Sequence, residues 1–73
     1  MNNEEFLKSM GSRIRAARNA KGMSLRQLAP LCGVQHTHIM RIERGLKQSR
    51  ITTLKSIADV LEVDVKDFFT FTA

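Results

Sequence analysis

Apolar residues recur at helical spacing along almost the whole chain. Phe6, Leu7, Met10, Ile14 and Ala17 stand three and four apart, as on one face of a helix from Glu4 to about Lys21. Asn3 is the expected cap, with Glu4 and Glu5 favourably placed beside the positive end of the helix dipole. Gly11 weakens this segment by about 1 kcal/mol relative to alanine, so the regular helix is expected to begin nearer Ser9 or Ser12. Gly22 supplies a left-handed stop after Lys21. Ser24-Leu-Arg-Gln27 has the form of a capping box, which starts a second helix at Leu25 with Leu28, Leu31 and Cys32 on its apolar face. Pro30 deletes a backbone hydrogen bond and crowds the preceding turn, so a kink or an early end is expected there.

The third predicted helix opens at Gln35, which is its expected cap, and stops at Gly45. Ile39 and Ile42 share one face, Thr37, Arg41 and Arg44 fall on the opposite one, and His36 sits at the exposed tip. After a basic loop from Leu46 to Arg50, Thr52 or Thr53 is expected to cap a fourth helix that buries Leu54, Ile57, Ala58 and Leu61. Asp64 then leads into a last turn with Val65, Phe68 and Phe69. Strand-like alternation is confined to Phe69-Thr-Phe-Thr72. The pattern predicts an all-α single domain over residues 1–73, built from five helices. Within it, residues 24–44 form two short helices across the tight turn at Gly33, the second polar and basic on its free face. That is the sequence form of a helix-turn-helix.

Charge distribution sharpens this reading. The chain has 73 residues and a net charge of +5. Between Lys8 and Lys55 lie eleven of the twelve basic residues and one of the seven acids, Glu43. A basic middle with acidic ends suits one surface presented to a polyanion. A single cysteine excludes an internal disulfide and a multi-cysteine metal cluster, and fits a reducing, intracellular setting. No run approaches the ~18 apolar residues of a membrane span. The acidic start lacks the basic and apolar regions of a signal peptide. A cytoplasmic protein without membrane contact is expected.

Other chemistries are weakly served. Cys32, His36 and His38 suggest a metal, but side chains two apart on a helix point about 200° from one another, so both histidines cannot meet one ion. No metal or cofactor is expected. No carboxylate stands near a histidine in a plausible catalytic set, and glycine-rich phosphate loops are absent, so no catalytic residue is assigned and an enzyme is not expected. A chain of this length leaves no room for a sensor domain, and no small-molecule ligand is expected.

Taken together, Ile14-Arg-Ala-Ala-Arg18, Lys21-Gly-Met-Ser24, Leu28-Ala29, Gly33-Val34, Ile39, Arg41-Ile-Glu-Arg-Gly45, Leu54, Ile57-Ala58 and Leu61-Glu-Val63 strongly resemble the phage repressor/Cro-like, or XRE, helix-turn-helix family. The likeness covers about residues 11 to 69 without insertions. It implies a compact five-helix lambda-repressor-like domain that binds operator DNA, usually as a symmetric dimer, with the third helix in the major groove. By position it implies that His36, Thr37 and Arg41 reach base edges, while Ser24, Arg44 and the loop after Gly45 hold phosphates. It also pairs Glu43 with Arg18. Three departures stand out: Leu25 replaces a frequent phosphate-gripping glutamine, Pro30 is unusual within the second helix, and Ser49-Arg50 replaces the frequent proline-serine.

The side chains themselves suit these roles. The Arg41 fork can donate twice to guanine, a contact worth ~1–3 kcal/mol of discrimination. Thr37 can meet a thymine methyl or an adenine, and Gln35 is a further candidate for a base contact. His38 lies about 100° from Thr37 and Arg41 on the wheel, which favours a backbone contact. Arg26, Arg44, Lys47 and Arg50 are phosphate candidates, with Ser24 at a helix start whose free N–H groups attract phosphate. The aromatic tail, residues 68–73, holds Phe68, Phe69 and Phe71. Phe68 is expected to close the core. Phe69 and Phe71 are expected either to fold back on Phe6 or to form a homodimer interface, and so much aromatic surface favours the second. Double-stranded DNA is the expected partner. The reading from another class is a protein-interaction adaptor, or antitoxin-like module, in which DNA is secondary.

Overall fold

Four α-helices and a closing 3-10 helix make up the computed structural model, which describes residues 1–71: α1 Asn3–Ala20, α2 Leu25–Cys32, α3 His36–Glu43, α4 Ile51–Leu61 and the 3-10 helix Val65–Phe69. Thr72 and Ala73, the end of the aromatic tail, lie outside the described residues. The described residues contain no strand. The expected fifth helix is thus a single tight element. Asp64 accepts from the Lys66 amide at 3.0 Å, and the Asp67 amide donates to the Asp64 carbonyl at 2.9 Å, which winds five residues with 3-10 bonds.

Several helix ends differ from expectation. Asn2, not Asn3, caps α1, its side chain accepting from the Glu5 amide at 2.8 Å. The helix runs unbroken through Gly11, which is buried against the end of α3. The Ser24–Gln27 capping box is complete, with Ser24 Oγ accepting from the Gln27 amide at 3.1 Å and Gln27 Oε1 from the Ser24 amide at 2.8 Å. Pro30 does not stop α2. The helix continues to Cys32 and closes at Gly33, φ 71°, with the Val34 amide reaching back to the Ala29 carbonyl at 3.2 Å. Pro30 and Arg26, whose carbonyl loses its partner, both lie on the exposed side, where water can replace the bond.

No side-chain cap opens α3 or α4. Gln35 occupies the cap position of α3 without a side-chain hydrogen bond, and Arg50, which has no acceptor, occupies that of α4. Thr52 and Thr53 therefore lie inside the first turn of α4 rather than before it. At its far end α4 closes on Glu62, a non-glycine residue at φ 59°. A carboxylate–ammonium pair with Lys21 ties this residue to the end of α1.

The core is Met10 and Ile14 from α1, Leu28 and Ala29 from α2, Ile39 and Ile42 from α3, Leu54, Ile57, Ala58 and Leu61 from α4, and Phe68. Each large aliphatic side chain so buried contributes about 1.5–3 kcal/mol. Leu31 is 63% exposed, so Leu28 and Ala29 carry the apolar face of α2 in its place. Cys32 is half-buried, and burial pushes its thiol pKa up, which favours an unreactive thiol. α1 packs on α3 and on the 3-10 helix, and α2 packs on α3 and α4. No helix among the described residues is long and apolar enough to cross a membrane.

Candidate nucleic-acid interface

The position of α3 is fixed from beneath and from its C-terminal end. Ile39 and Ile42 are fully buried and seat one face. Glu43, 9% exposed, accepts two hydrogen bonds from Arg18, Nε to Oε2 at 2.7 Å and Nη2 to Oε1 at 3.0 Å. Arg18 Nη1 also donates to the Met23 carbonyl at 2.8 Å. One guanidinium thereby joins α1, the turn before α2 and the end of α3. The bonds to Glu43 raise the Arg18 pKa further above its ordinary value, against the opposing effect of burial.

Two glycines bring α1 against the same end. A Cβ on Gly11 would lie 2.3 Å from the Ile42 carbonyl oxygen and 2.4 Å from that of Glu43. At Gly45, φ 72°, a Cβ would meet the Lys8 backbone at 2.8 Å. Both contacts are backbone to backbone, and a side chain at either site has no space.

The other face of α3 is open. Gln35, Arg41 and Arg44 are exposed, while His36, Thr37 and His38 are half-buried. A shallow cleft of about 380 Å³ lies between α2 and the start of α3, lined by Arg26, Ala29, Pro30, Val34, Gln35, His36 and Thr37. It brings one phosphate candidate, Arg26, beside three of the four base candidates. Arg41 lies a turn further along the helix. Ser24 Oγ accepts within its capping box yet keeps its own hydrogen free to donate.

A second cleft of about 380 Å³ is lined by Val34, His38, Lys47, Gln48, Ser49, Arg50 and Thr53. It gathers His38, Lys47 and Arg50, the phosphate candidates from the end of the motif. His38 Nε2 and Ser49 Oγ are buried there without hydrogen-bond partners. Burial, with the charges of Lys47 and Arg41, holds the His38 pKa below its ordinary value of 6.5. Neither cleft is lined by a carboxylate.

A smaller cleft of about 110 Å³ holds Arg15, Arg18, Leu25, Met40, Glu43 and Arg44. Leu25 contributes only apolar wall where many XRE members carry glutamine, and the exposed cations beside it are Arg15 and Arg44. Arg15 and Ser49 are therefore interface candidates that periodicity missed. Arg15 stands within the Ile14–Arg18 motif, which by itself assigns it no role. Ser49 lies in an irregular loop, where the only signal is that Ser49-Arg50 replaces the frequent proline-serine.

Away from these clefts the aromatic tail folds back on α1. Phe6 stacks on Phe69 with ring centroids 6.0 Å apart and meets Phe71 edge-on at 5.4 Å. The Arg13 guanidinium donates to the Thr70 carbonyl and holds the segment down. Of the two arrangements expected for Phe69 and Phe71, folding back within one chain is the one seen. Much of the aromatic surface assigned to a homodimer contact is already covered.

Among the described residues no group of three or more histidine, cysteine or carboxylate side chains is arranged to hold a metal.

A helix-turn-helix family profile, HTH_3, matches residues 14–68. The chain is 36% identical over 61 residues to the HTH-type transcriptional regulator SlrR of Bacillus subtilis, covering 82% of this chain and 40% of that protein. It is 38% identical over 56 residues to an uncharacterised HTH-type transcriptional regulator of Mycobacterium tuberculosis, covering 77% and 40%. It thus spans about two fifths of the length of these relatives. Among solved structures, the restriction-modification controller protein C.AhdI from Aeromonas hydrophila superposes with a TM-score of 0.89 at 28% identity, over 94% of this chain and 100% of that one. The clp gene regulator ClgR from Corynebacterium glutamicum gives 0.83 at 30% identity, over 86% and 67%.

Proposed function

Since the chain belongs to the helix-turn-helix family of DNA-binding transcriptional regulators, which is regulatory rather than enzymatic, we propose that it reads an inverted-repeat operator as a homodimer. Each copy of α3 enters a major groove, with the two half-sites one helical turn (~34 Å) apart. Arg41 donates its fork to a guanine, and Gln35, His36 and Thr37 contact the neighbouring base edges. Ser24 and Arg26 at the start of α2, and His38, Arg44, Lys47 and Arg50 around the end of α3, hold phosphates on either side. Phosphate contacts fix register and orientation, and the few base contacts supply sequence preference.

The observation that carries this reading is the division of α3. One face is wholly buried through Ile39 and Ile42, and the other is exposed between two clefts that carry cations and no carboxylate. A protein-binding adaptor has no need of that separation of charge.

Selection of bound sequences from a random duplex pool tests it. The expected product is a palindrome with a fixed half-site spacing. Arg41→Ala is expected to lose ~1–3 kcal/mol of affinity and to relax preference at one base pair in each half-site. A pool that stays random under selection, with Arg41→Ala binding as tightly as the parent chain, would defeat the proposal.

A further inference from the structure

We propose that the cleft between α2 and the start of α3 takes the C5-methyl group of an operator pyrimidine. The domain thereby tells thymine from uracil, and 5-methylcytosine from cytosine, so that binding responds to cytosine methylation of the operator. The inference rests on the DNA-reading role proposed above and adds to it a group that hydrogen bonds cannot read.

Three apolar side chains line this cleft of about 380 Å³: Ala29, which belongs to the core, Val34, half-buried against that core, and the exposed Pro30. Pro30 costs α2 a backbone hydrogen bond, yet it sets a rigid hydrocarbon ring beside the base candidates. Gln35, His36 and Thr37 line the same cleft from the α3 side, and Arg26 supplies its one permanent charge. The other cleft of equal size is of a different kind. It carries Lys47 and Arg50, with His38 Nε2 and Ser49 Oγ buried and unpartnered, a set suited to an anion. Phosphate fits that one, and an apolar group fits this one.

A lone cation without a carboxylate keeps a polyanion as the partner on this side too. On the major-groove edge of DNA every recognition group is a hydrogen-bond donor or acceptor except the C5-methyl of thymine. Cytosine presents a methyl at the same place once its C5 is methylated. That methyl neighbours O4 of thymine or the N4 amino group of cytosine. The Gln35 amide both donates and accepts, so it can meet either neighbour while the methyl covers Pro30 and Val34. A purine or an unmethylated cytosine leaves this apolar wall wet.

Uracil in place of thymine removes the methyl and leaves every donor and acceptor, so the wild-type chain itself is tested. Fluorescence anisotropy measures binding to the operator obtained by selection, with thymines replaced one position at a time. At one thymine in each half-site, uracil is expected to weaken binding roughly fourfold, the worth of one buried methyl group. At that same position cytosine should bind more weakly still, and 5-methylcytosine should recover roughly fourfold of the loss. Pro30→Gln keeps a good helix former in α2 and should bring the thymine-to-uracil ratio towards one. Arg41→Ala should bind more weakly while keeping the ratio of wild type.

Uracil tolerated at every thymine, with 5-methylcytosine no better than cytosine, would overturn the proposal. A ratio unchanged in Pro30→Gln places the methyl elsewhere and overturns its assignment to this cleft. In either case the operator and the Arg41 effect persist, and the DNA-reading role stands. A pool that yields no preferred sequence removes that role and this inference together.

Discussion

The two ends of α3 are built on opposite plans. At the C-terminal end, backbone lies on backbone at Gly11 and Gly45, and Glu43 is held by two of the three guanidinium nitrogens of Arg18. At the N-terminal end, Gln35 makes no capping bond, and His36 and Thr37 face an open cleft. An element that reads a surface needs a fixed direction and free side chains. Here the fixed part lies at one end of an eight-residue helix and the free part at the other. Rigidity comes from packing against α1, and adaptability from leaving the tip without local partners.

Removing the lock should have the largest effect. Glu43→Ala leaves a largely buried guanidinium without its carboxylate and is expected to cost ~3–5 kcal/mol in unfolding free energy, measured by denaturant titration. Replacing both partners, as Arg18→Met with Glu43→Leu, should recover most of that loss. A Glu43→Ala variant as stable as the parent chain would show that the α1–α3 joint does not depend on the pair.

Gly11→Ala is next. The added methyl must push α1 away from the Ile42 and Glu43 carbonyls, and a loss of about 1–3 kcal/mol is expected from overpacking. Helix propensity alone forecasts the opposite sign, a gain of about 1 kcal/mol. Thermal melting therefore decides between them.

The smallest effect belongs to the open side. The folded-state pKa of His38 lies below its ordinary 6.5. Its contribution to stability is thus complete above about 6.5 and is lost as pH falls through the lower folded-state value. A bound phosphate reverses the preference by favouring the charged imidazole. On lowering the pH from 7 to 5, stability should fall while DNA affinity rises, and His38→Gln should flatten both trends. If both trends match the parent chain in His38→Gln, the histidine has neither role.

Much of this comparison was legible from residue spacing, and its failures have definite causes. Core positions such as Ile14, Leu28, Ile39 and Ile57 repeat with the helical period, and Ser24 with Gln27 announces its own cap, so both follow from local rules. Propensity makes Gly11 a weak point in α1 because it counts only the helix that contains a residue. Its reason for being glycine lies on α3, 31 residues away in sequence. The missing caps at Gln35 and at Thr52 or Thr53 have a similar origin. Cap chemistry predicts a helix start only where no tertiary contact has already chosen one, and Leu54 and Ile57 seat α4 whatever stands before it. The fate of Phe69 and Phe71 turned on Phe6, more than sixty residues earlier, and Ser49 lies in a loop where no period applies.

The guanidinium of Arg18 also works as a ruler. One arm holds the carbonyl just before Ser24, where α2 begins, and two hold the carboxylate that ends α3. The span between the proposed phosphate anchor and the proposed base-reading face is therefore measured out by a single side chain that need not touch DNA. Gln35, His36, Thr37 and Arg41 stand outside that measurement. Changing those four should re-aim the domain to a new half-site while leaving its footing on the double helix as it was.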